Sequence, residues 1–225
     1  MHTIVLSVGG SIIAPDKPDH FFLAELKNFV IKNISSHRFV IVCGGGKTNR
    51  YYNDAASRVS NVAPENLDWL GIMATRLNAE LVRVIFGDLA HSKVIIDPTK
   101  ALKSAKPIIV AAGWKPGWST DYVAVLLAKR LGAETVLNLT NMDYVYTKDP
   151  NIDSTAKRIY DITWKEYRKL ISSKWSPRLS TPFDPIASKE AQKSRLRVVS
   201  LRGTNFSNLS RCLAGSSFDG TVIHP

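Results

Sequence analysis

At 225 residues the chain is long enough to bury a substantial core, and we expect one domain that spans residues 1–225. Apolar residues make up 44% of the sequence, yet no run of about 18 of them predicts a membrane span, no signal peptide is evident, and two cysteines cannot form a disulfide framework. The net charge of +11 favours anionic partners, but no nucleic-acid-binding motif accompanies it, so a solvated basic surface is the alternative. We expect a cytoplasmic protein that binds neither membranes nor nucleic acid.

The N-terminal half alternates short apolar runs with segments of helical periodicity. The apolar runs predict strands at 3–8, 39–43, 107–112 and, more weakly, 93–96. The periodic segments predict helices at 22–34 and 47–59 and a long helix that begins at Pro64. The predicted buried face of the long helix comprises Leu67, Leu70, Ala74, Leu77, Leu81 and Val84. Asp68, Gly71 and Arg76 lie off that face.

The C-terminal half continues this alternation around a proline-rich interruption. A helix is predicted at 122–131, with Ser119, Thr120 or Asp121 as its N-cap and Gly132 at its end. The segment from Tyr144 to Pro185 is predicted to be irregular apart from one helix at 165–171, because it contains Pro150, Pro177, Pro182 and Pro185. The other predicted elements are strands at 134–139 and 196–201, helices at 185–194 and 206–213, and a final edge strand at 221–224.

Strands that alternate with helices are typical of an α/β fold, in which helices cover both faces of a mainly parallel sheet. In such sheets ligands bind beyond the carboxyl ends of the strands. Four loops that contain glycine or Asn and Asp come after predicted strands in this sequence, at residues 9–11, 44–46, 113–121 and 140–143. We therefore expect these loops to converge on one edge of the sheet.

The loop Gly44-Gly45-Gly46 lies between a predicted strand and a predicted helix. Glycines permit close approach of another molecule, and the free N–H groups at the start of a helix favour a phosphate. The spacing fits neither a Walker A loop nor a dinucleotide-binding fingerprint. An ordinary strand-to-helix turn is the alternative, because one glycine would suffice for it.

Together the loops suit phosphoryl transfer. This reaction requires hydrogen-bond donors and cations that the protein holds in place, and it asks little covalent chemistry of the protein itself. The candidate backbone donors are Gly9, Gly10, Gly45 and Gly46, the candidate cations are Lys47, Arg50 and Lys115, and Asp143 and Asp149 are candidates to face a metal or a nucleotide. The five histidines show no metal-ligand spacing, so we expect no metal site made by protein ligands. No nucleophile motif supports hydrolysis.

The order of these loops resembles the amino acid kinase superfamily. The resemblance is carried by Val8-Gly9-Gly10-Ser11, Val42-Cys43-Gly44-Gly45-Gly46-Lys47, Pro116-Gly117-Trp118-Ser119-Thr120-Asp121 and residues 140–150. Within the superfamily, residues 67–79 and 219–225 are most similar to the archaeal type of UMP kinase. The likeness covers nearly the whole chain. The glycine loops mark only the superfamily, whereas the Pro-Gly-x-Ser/Thr-Thr segment and the helix with Asp68 indicate the UMP kinase branch.

The resemblance implies a three-layer αβα sandwich of the carbamate kinase-like type. It also implies an enzyme that transfers the γ-phosphoryl group of ATP to UMP with Mg²⁺, and a homo-oligomer, either a dimer or a hexamer. The residues implied to bind ATP are Val8, Gly9, Gly10, Ser11, Gly46, Arg50, Thr140, Asn141, Tyr146 and Asp149. The residues implied to bind UMP are Gly45, Asp68, Trp114, Lys115, Pro116, Gly117, Trp118, Ser119 and Thr120. The candidate catalytic positions are Lys47, Arg50 and Ser7.

Several of these residues have structural alternatives. Asp68 and Arg50 would also be ordinary solvated surface residues. Thr120 would also serve as a helix N-cap, and Tyr146 would also pack in a core. The remaining alternative concerns the two loop tryptophans, Trp114 and Trp118, which would form either a base-stacking wall or an oligomer contact.

Three positions depart from the family's pattern. Ser7 stands where many relatives carry a lysine, and loss of that cation would cost several orders of magnitude in rate unless Lys47 or Lys115 replaces it. Tyr144 stands where the nucleotide motif has a glycine, and a positive φ there would strain it by about 1–3 kcal/mol. Trp118 replaces a smaller or more polar residue.

The function expected from the resemblance is UMP phosphorylation in pyrimidine nucleotide biosynthesis. Two alternatives follow from the departures: a sister kinase of another small phosphate or carboxylate, or a weakly active nucleotide-binding relative.

Overall fold

The computed structural model describes residues 2–171 and 181–225. The strands are β1 (His2–Val8), β2 (His37–Cys43), β3 (Ile108–Ala111), β4 (Thr135–Thr140), β5 (Val145–Tyr146), β6 (Arg158–Ile159), β7 (Asp161–Thr163), β8 (Arg197–Arg202) and β9 (Thr221–His224). The helices are α1 (Gly10–Ile13), α2 (His20–Asn33), α3 (Gly46–Val59), α4 (Pro64–Phe86), α5 (Thr120–Leu131), α6 (Trp164–Leu170), α7 (Pro185–Lys193) and α8 (Phe206–Leu213), with a 3₁₀ turn at Gly87–Leu89.

The central sheet has seven strands in the order β3-β2-β1-β4-β8-β9-β7. Strands β3, β2, β1, β4 and β8 are mutually parallel, whereas β9 runs antiparallel to β8 and parallel to β7. The mainly parallel sheet is therefore confirmed. Residues 221–224 form the predicted strand, but its predicted place at the edge is wrong, because β7 pairs with its outer side.

Helices cover both faces of the sheet, so the three-layer αβα sandwich is confirmed. Alternate strand residues point to opposite faces. On one face Leu6 and Phe39 are buried in a core that includes residues of α1, α2, α4 and α8. On the other face Val5 and Val40 are buried in a core that includes residues of α5, α6 and α7.

Helix α4 buries a face that only partly matches the one predicted. Ala74 is buried and Leu81 packs against the core, as predicted. Leu77 and Val84 are instead 64% and 59% exposed, and Ile72 and Val82 are buried. The prediction failed because the true buried face also carries Thr75 and Asn78, which hydrophobic spacing ignores. Both side chains make hydrogen bonds there: Thr75 Oγ1 accepts one from the Gly113 amide at 2.8 Å, and Asn78 Nδ2 donates one to the Gly44 carbonyl at 2.7 Å.

The proline-rich region contains more structure than its composition indicates. Besides the predicted helix, found at Trp164–Leu170, it holds the antiparallel pair β5–β6 and the strand β7. These strands have only two or three residues each, too few to show an alternating pattern. The predicted strand at 93–96 is wrong, because Ile95 makes only an isolated bridge to Ala111. The predicted irregularity at Pro177 lies outside the described residues.

Candidate active site

The loops after β1 and β2 touch through their backbones. A Cβ atom added at Gly10 would lie 1.9 Å from the Gly46 nitrogen, and one added at Gly44 would lie 2.4 Å from the Gly10 nitrogen. Gly46 also has a φ of +64°, which disfavours any side chain. The Gly9 amide donates a hydrogen bond of 2.9 Å to the Leu139 carbonyl in β4, so three strand ends meet here. We call residues 9–10 and 44–46 the glycine floor.

A first cavity of about 240 Å³ opens beside the glycine floor. It brings together five of the nine predicted acceptor-binding residues: Gly45, Asp68, Trp118, Ser119 and Thr120. The cavity is also lined by Asn49, Gly71, Ile72, Thr75, Gly113, Asp121, Thr181 and Asp184. The convergence of the loops after β2 and β3, predicted from their positions after parallel strands, is confirmed by this common lining.

Asp68 turns toward this cavity rather than toward bulk solvent. Its Oδ2 atom accepts a hydrogen bond of 2.7 Å from the Gly117 amide, and Gly117 has a φ of +86°. Partial burial raises the pKa of the Asp68 carboxyl, and the hydrogen bond from Gly117 opposes that rise. The alternative of an ordinary solvated helix residue is therefore wrong for Asp68.

The N-terminus of α5 forms another wall of the first cavity. The cap is Ser119, whose Oγ accepts a hydrogen bond of 3.1 Å from the Tyr122 amide. Thr120 is the first helical residue and lines the cavity, so its alternative role as the N-cap is wrong. The free amides of this first turn and the positive end of the helix dipole favour an anion.

The two loop tryptophans differ in their surroundings. Trp118 lines the first cavity and stacks on Tyr122 with ring centroids 4.3 Å apart. Trp114 does not line the cavity, and its ring centroid lies 5.9 Å from that of Trp118. The ammonium group of the exposed Lys115 lies 4.1 Å from the Trp114 ring centroid. Pro116 and Gly117 complete the loop without lining the cavity. Of the two tryptophans, Trp118 is therefore the one that offers its ring to the first cavity.

Two carboxylates that line the first cavity, Asp121 and Asp184, were not predicted as site residues. Asp121 Oδ1 accepts a hydrogen bond of 2.9 Å from Ser7 Oγ, and Asp121 Oδ2 accepts one of 3.2 Å from the Asp184 amide. Burial, with the neighbouring Asp184 charge, raises the pKa of Asp121 to about 6, and burial also raises the pKa of Asp184. Both aspartates lie at helix starts, where sequence reasoning takes them for caps, and Asp184 does cap α7 by accepting from the Ala187 amide at 2.6 Å.

Asn49 was also not predicted as a site residue, because residues 47–59 were predicted only to form a helix. Its Oδ1 atom accepts a hydrogen bond of 2.9 Å from the buried Asn53, and its amide lies flat against Gly71. A Cβ added at Gly71 would lie 3.0 Å from Asn49 Oδ1. Glycine at position 71 thus makes room for the Asn49 side chain in the cavity wall.

A second cavity of about 520 Å³ lies on the other side of Thr181, which lines both. It brings together the four predicted donor-nucleoside residues, Thr140, Asn141, Tyr146 and Asp149. Tyr146 is half-buried in its wall, so the alternative of a core residue is wrong. Asp149 is an exposed turn residue whose Oδ1 accepts from the amide and side chain of Asn151 at 2.9 and 3.1 Å.

Tyr144 fits its position without backbone strain. Among the described residues Arg195 is the only non-glycine with a positive φ, so the strain expected at Tyr144 does not arise. The ring is 7% exposed, and its hydroxyl donates a hydrogen bond of 2.8 Å to Asp219. The neighbouring Asp143 is held by Arg202 through contacts of 2.7 and 3.0 Å. Asp143 is therefore neutralised by protein and is a poor candidate for a metal or nucleotide ligand.

The remaining predicted residues lie around the glycine floor rather than in the cavity walls. Val8 is 1% exposed and packs in the core, so it offers a ligand only its backbone. Ser11 and Arg50 are exposed, and Lys47 Nζ lies 3.8 Å from an Asp16 carboxylate oxygen. Ser7, also one of these residues, is buried against α5 through Asp121.

The side chains of the described residues limit how a metal ion could be bound. In the part of the chain that is described, no three or more His, Cys, Asp or Glu side chains are grouped to hold a metal ion. A Mg²⁺ ion at this site would therefore take most of its ligands from phosphate oxygens, as Mg²⁺ commonly does.

Within residues 2–171 and 181–225, no helix combines the length and apolar character needed to cross a bilayer.

Comparison with known proteins gives the same picture over nearly the full length. The model of the amino acid kinase family matches residues 2–200. The chain is 35% identical to a uridylate kinase of Pyrococcus abyssi over 225 residues, which cover 99% of each chain. It is 38% identical to a uridylate kinase of Methanococcoides burtonii over 210 residues, which cover 90% of this chain and 87% of that protein.

Among solved structures, a uridylate kinase from Archaeoglobus fulgidus superposes with a TM-score of 0.83 at 29% identity, covering 98% of this chain and 99% of that one. A UMP kinase from Bacillus anthracis gives a TM-score of 0.76 at 17% identity, with 99% and 95% coverage, which supports the fold alone. The matched length, the common fold and the glycine floor lead to one conclusion. The chain belongs to the amino acid kinase family.

Proposed function

We propose that this protein is a UMP kinase that transfers the γ-phosphoryl group of ATP to UMP, a step of pyrimidine nucleotide biosynthesis in the cytoplasm. The observation that carries the proposal is the pair of adjoining cavities at the carboxyl edge of the sheet, which share Thr181. Two nucleotides bound end to end need two such cavities, joined where the phosphates meet. The uridylate kinases that resemble this chain over its full length support the same acceptor.

The first cavity supplies the groups that UMP requires. Asp68 would accept a hydrogen bond from a ribose hydroxyl through its Oδ1 atom, because Oδ2 is already bonded to Gly117. Thr120 and the free amides at the start of α5 would bind the phosphate. Trp118 would stack on the base, supported from behind by Tyr122.

The second cavity would hold the nucleoside of ATP against Thr140, Asn141 and Tyr146. Its phosphates would then extend over the glycine floor, where the amides of Gly10 and Gly46 would be the hydrogen-bond donors. Mg²⁺ held by the phosphate oxygens would supply positive charge against the transferring group. The chain's own contribution is to align the two nucleotides and exclude water between them.

The cations that this chain brings to the reaction are Lys47 and Arg50, at the start of α3 and next to the glycine floor. With Ser7 in place of a first-strand lysine, we propose that they stabilise the charge of the transferring phosphoryl group. Lys47 would exchange its ion pair with Asp16 for the nucleotide, which costs little because both groups are exposed.

The activity test is ADP and UDP formation by purified protein with ATP, Mg²⁺ and UMP. The acceptor panel contains UMP, CMP, AMP, isopentenyl phosphate and an acidic amino acid, so a sister kinase would be recognised by its own acceptor. We expect UMP to be preferred. ATP hydrolysis that is independent of UMP, with no UDP formed, would contradict the proposal. Asp68→Asn should weaken UMP use and leave ATP binding intact.

A weakly active nucleotide-binding protein is the second candidate function. One observation favours it: Ser7, Asp121 and Asp184 form a buried cluster that places two carboxylates, and no lysine, beside the first cavity. Ser7→Lys would set an ammonium group next to both. Thermal stabilisation by UMP and ATP without turnover, together with a rate gain in Ser7→Lys, would support this candidate over the first.

We also propose that the protein is a homo-oligomer that associates through α4. The outward face of that helix exposes four large apolar side chains, Trp69, Met73, Leu77 and Val84. Trp69, Met73 and Leu77 recur at every fourth residue, and Val84 follows on the same side two turns after Leu77, beyond the exposed Glu80. The four side chains form one stripe along the helix. A stripe of this kind is costly to leave in water, and a second copy of the same helix would cover it symmetrically.

A further inference from the structure

The loop at residues 113–118 depends on side chains from α4 for its shape. Within the described part of the chain, these residues make no backbone-to-backbone hydrogen bonds. Instead, the Gly113 amide donates to Thr75 Oγ1 at 2.8 Å and the Gly117 amide donates to Asp68 Oδ2 at 2.7 Å. A third α4 residue, Arg76, binds two carbonyl groups of the same loop.

Arg76 binds the carbonyl groups of the first two residues of the loop. Its Nη2 donates a hydrogen bond of 3.0 Å to the Trp114 carbonyl, and its Nε lies 3.4 Å from the Gly113 carbonyl. The guanidinium carbon also lies 5.9 Å from the ring centroid of Trp69, two turns earlier on the same helix. A planar guanidinium can serve two neighbouring carbonyls and an aromatic face at once, which a lysine ammonium cannot.

The position of the loop matters because the loop leads directly into the wall of the first cavity. Trp118 lines that cavity, and the chain then enters α5 through Ser119 and Thr120, which line it too. A loop released at its start would lose the placement of Trp118 before any helix residue moved. Arg76 itself lines neither cavity, so it would act on a ligand only through the loop.

We propose that Arg76 is a positioning residue that fixes the 113–118 loop in its acceptor-binding position and thereby sets the affinity for the acceptor nucleotide. The inference rests on the proposed function, since it assigns the first cavity to the acceptor. It predicts a selective defect. The KM for UMP rises, while the KM for ATP and the turnover at saturating UMP change little, because Arg76 does not line the second cavity.

The test compares Arg76→Met and Arg76→Lys with a matched control, Arg83→Met. Arg83 lies on the same helix and is paired with Glu80 instead of the loop. Removing charge-assisted hydrogen bonds to two carbonyls should raise the UMP KM about tenfold in Arg76→Met. Arg76→Lys should recover part of this loss, since it keeps one donor. The ATP KM should stay within about twofold, and Arg83→Met should match the parent protein.

Hydrogen exchange of the nucleotide-free proteins provides the second readout. We expect faster exchange of the Gly113 and Gly117 amides in Arg76→Met, because these two loop amides donate to α4 side chains. Exchange in β1 and β4 should be unchanged, which checks the folding of the variant. Unchanged exchange of these amides, or a UMP KM within about twofold of the parent protein, overturns the inference. Because exchange needs no ligand, failure of the parent protein to phosphorylate UMP would overturn the proposed function while the exchange result still decides the role of Arg76.

Discussion

At the scale of single residues, the most unusual feature is the contact between Asp121 and Asp184. Two neighbouring carboxylates that are both shielded from solvent repel each other, and the one hydrogen bond from the Ser7 hydroxyl does not offset that repulsion. The pKa of Asp121 rises to about 6 as a result, first from burial and then from the Asp184 charge. The folded protein therefore carries a proton here that the unfolded chain releases at lower pH.

This linkage predicts how stability depends on pH. Because the pKa of Asp121 is raised from 3.8 to about 6 in the folded state, its contribution falls as pH rises from about 4 to 6 and stays low above that. Asp121→Asn should flatten this part of the profile and raise the free energy of unfolding at pH 7.5 by up to about 3 kcal/mol. Urea denaturation at a series of pH values measures it. An unchanged slope between pH 4 and 6 would contradict the assignment.

A second prediction at this scale concerns Gly10. In Gly10→Ala the new methyl group would meet the backbone nitrogens of Gly46 and Gly45 at 1.9 and 2.6 Å, and no rotamer change can relieve it. We expect a loss of about 3 kcal/mol in the free energy of unfolding and loss of ATP binding. Gly215→Ala is the control: it has a positive φ of +70° but meets open space, so it should cost only about 1 kcal/mol. Equal losses in the two variants would show that the floor tolerates a side chain.

At the scale of elements, α4 performs two tasks on two faces. One face meets the sheet and holds the 113–118 loop through Asp68 and Thr75. Another exposes the apolar stripe that begins at Trp69, and Arg76 reaches the loop from the border of that stripe. The ring of Trp69 near the Arg76 guanidinium joins the two faces. Whatever covers the stripe therefore lies next to the groups that shape the first cavity.

This arrangement predicts the effect of charge on the stripe. The double variant Met73→Glu/Leu77→Glu would place two carboxylates in an apolar contact between copies, so we expect dissociation to monomers. Light scattering coupled to size-exclusion chromatography gives the mass directly. Val59→Glu, at an 87% exposed position at the end of α3, is the matched control and should leave the assembly unchanged. A monomeric parent protein, or an unchanged mass in the double variant, would refute association through α4.

At the scale of the whole molecule, the sequence predicted the framework better than the cavity walls. The central strands have apolar runs and the helices between them have recognisable caps, as with Asp184 and Pro185 at the start of α7. The elements, the mainly parallel sheet and the convergence of the loops could therefore be inferred. The burial of α4 was misjudged because polar groups, satisfied only in the folded chain, belong to its inner face. Asp121 was missed for a similar reason, because its partner Ser7 is distant in the sequence. Asn49 was missed because its place in the cavity wall depends on Gly71 of another helix.

The two-cavity architecture predicts simultaneous binding of both nucleotides. A molecule that joins adenosine and uridine through a polyphosphate chain should compete with ATP and with UMP, because the cavities meet at Thr181. At about a hundred times its dissociation constant it should stabilise the fold by about 2.7 kcal/mol. Competition kinetics against each substrate is the measurement. Competition with ATP alone would show that the first cavity does not bind uridine nucleotides.

The glycine floor has a further consequence for how the family tolerates change. Since this junction consists of main chain touching main chain, it has no side-chain conformers to adjust and no adaptable gap to fill. If the two cavities hold the two nucleotides as proposed, this junction acts as a spacer of fixed length between them. Substitutions in the surrounding walls would then change which base or sugar fits without changing the distance between the phosphates.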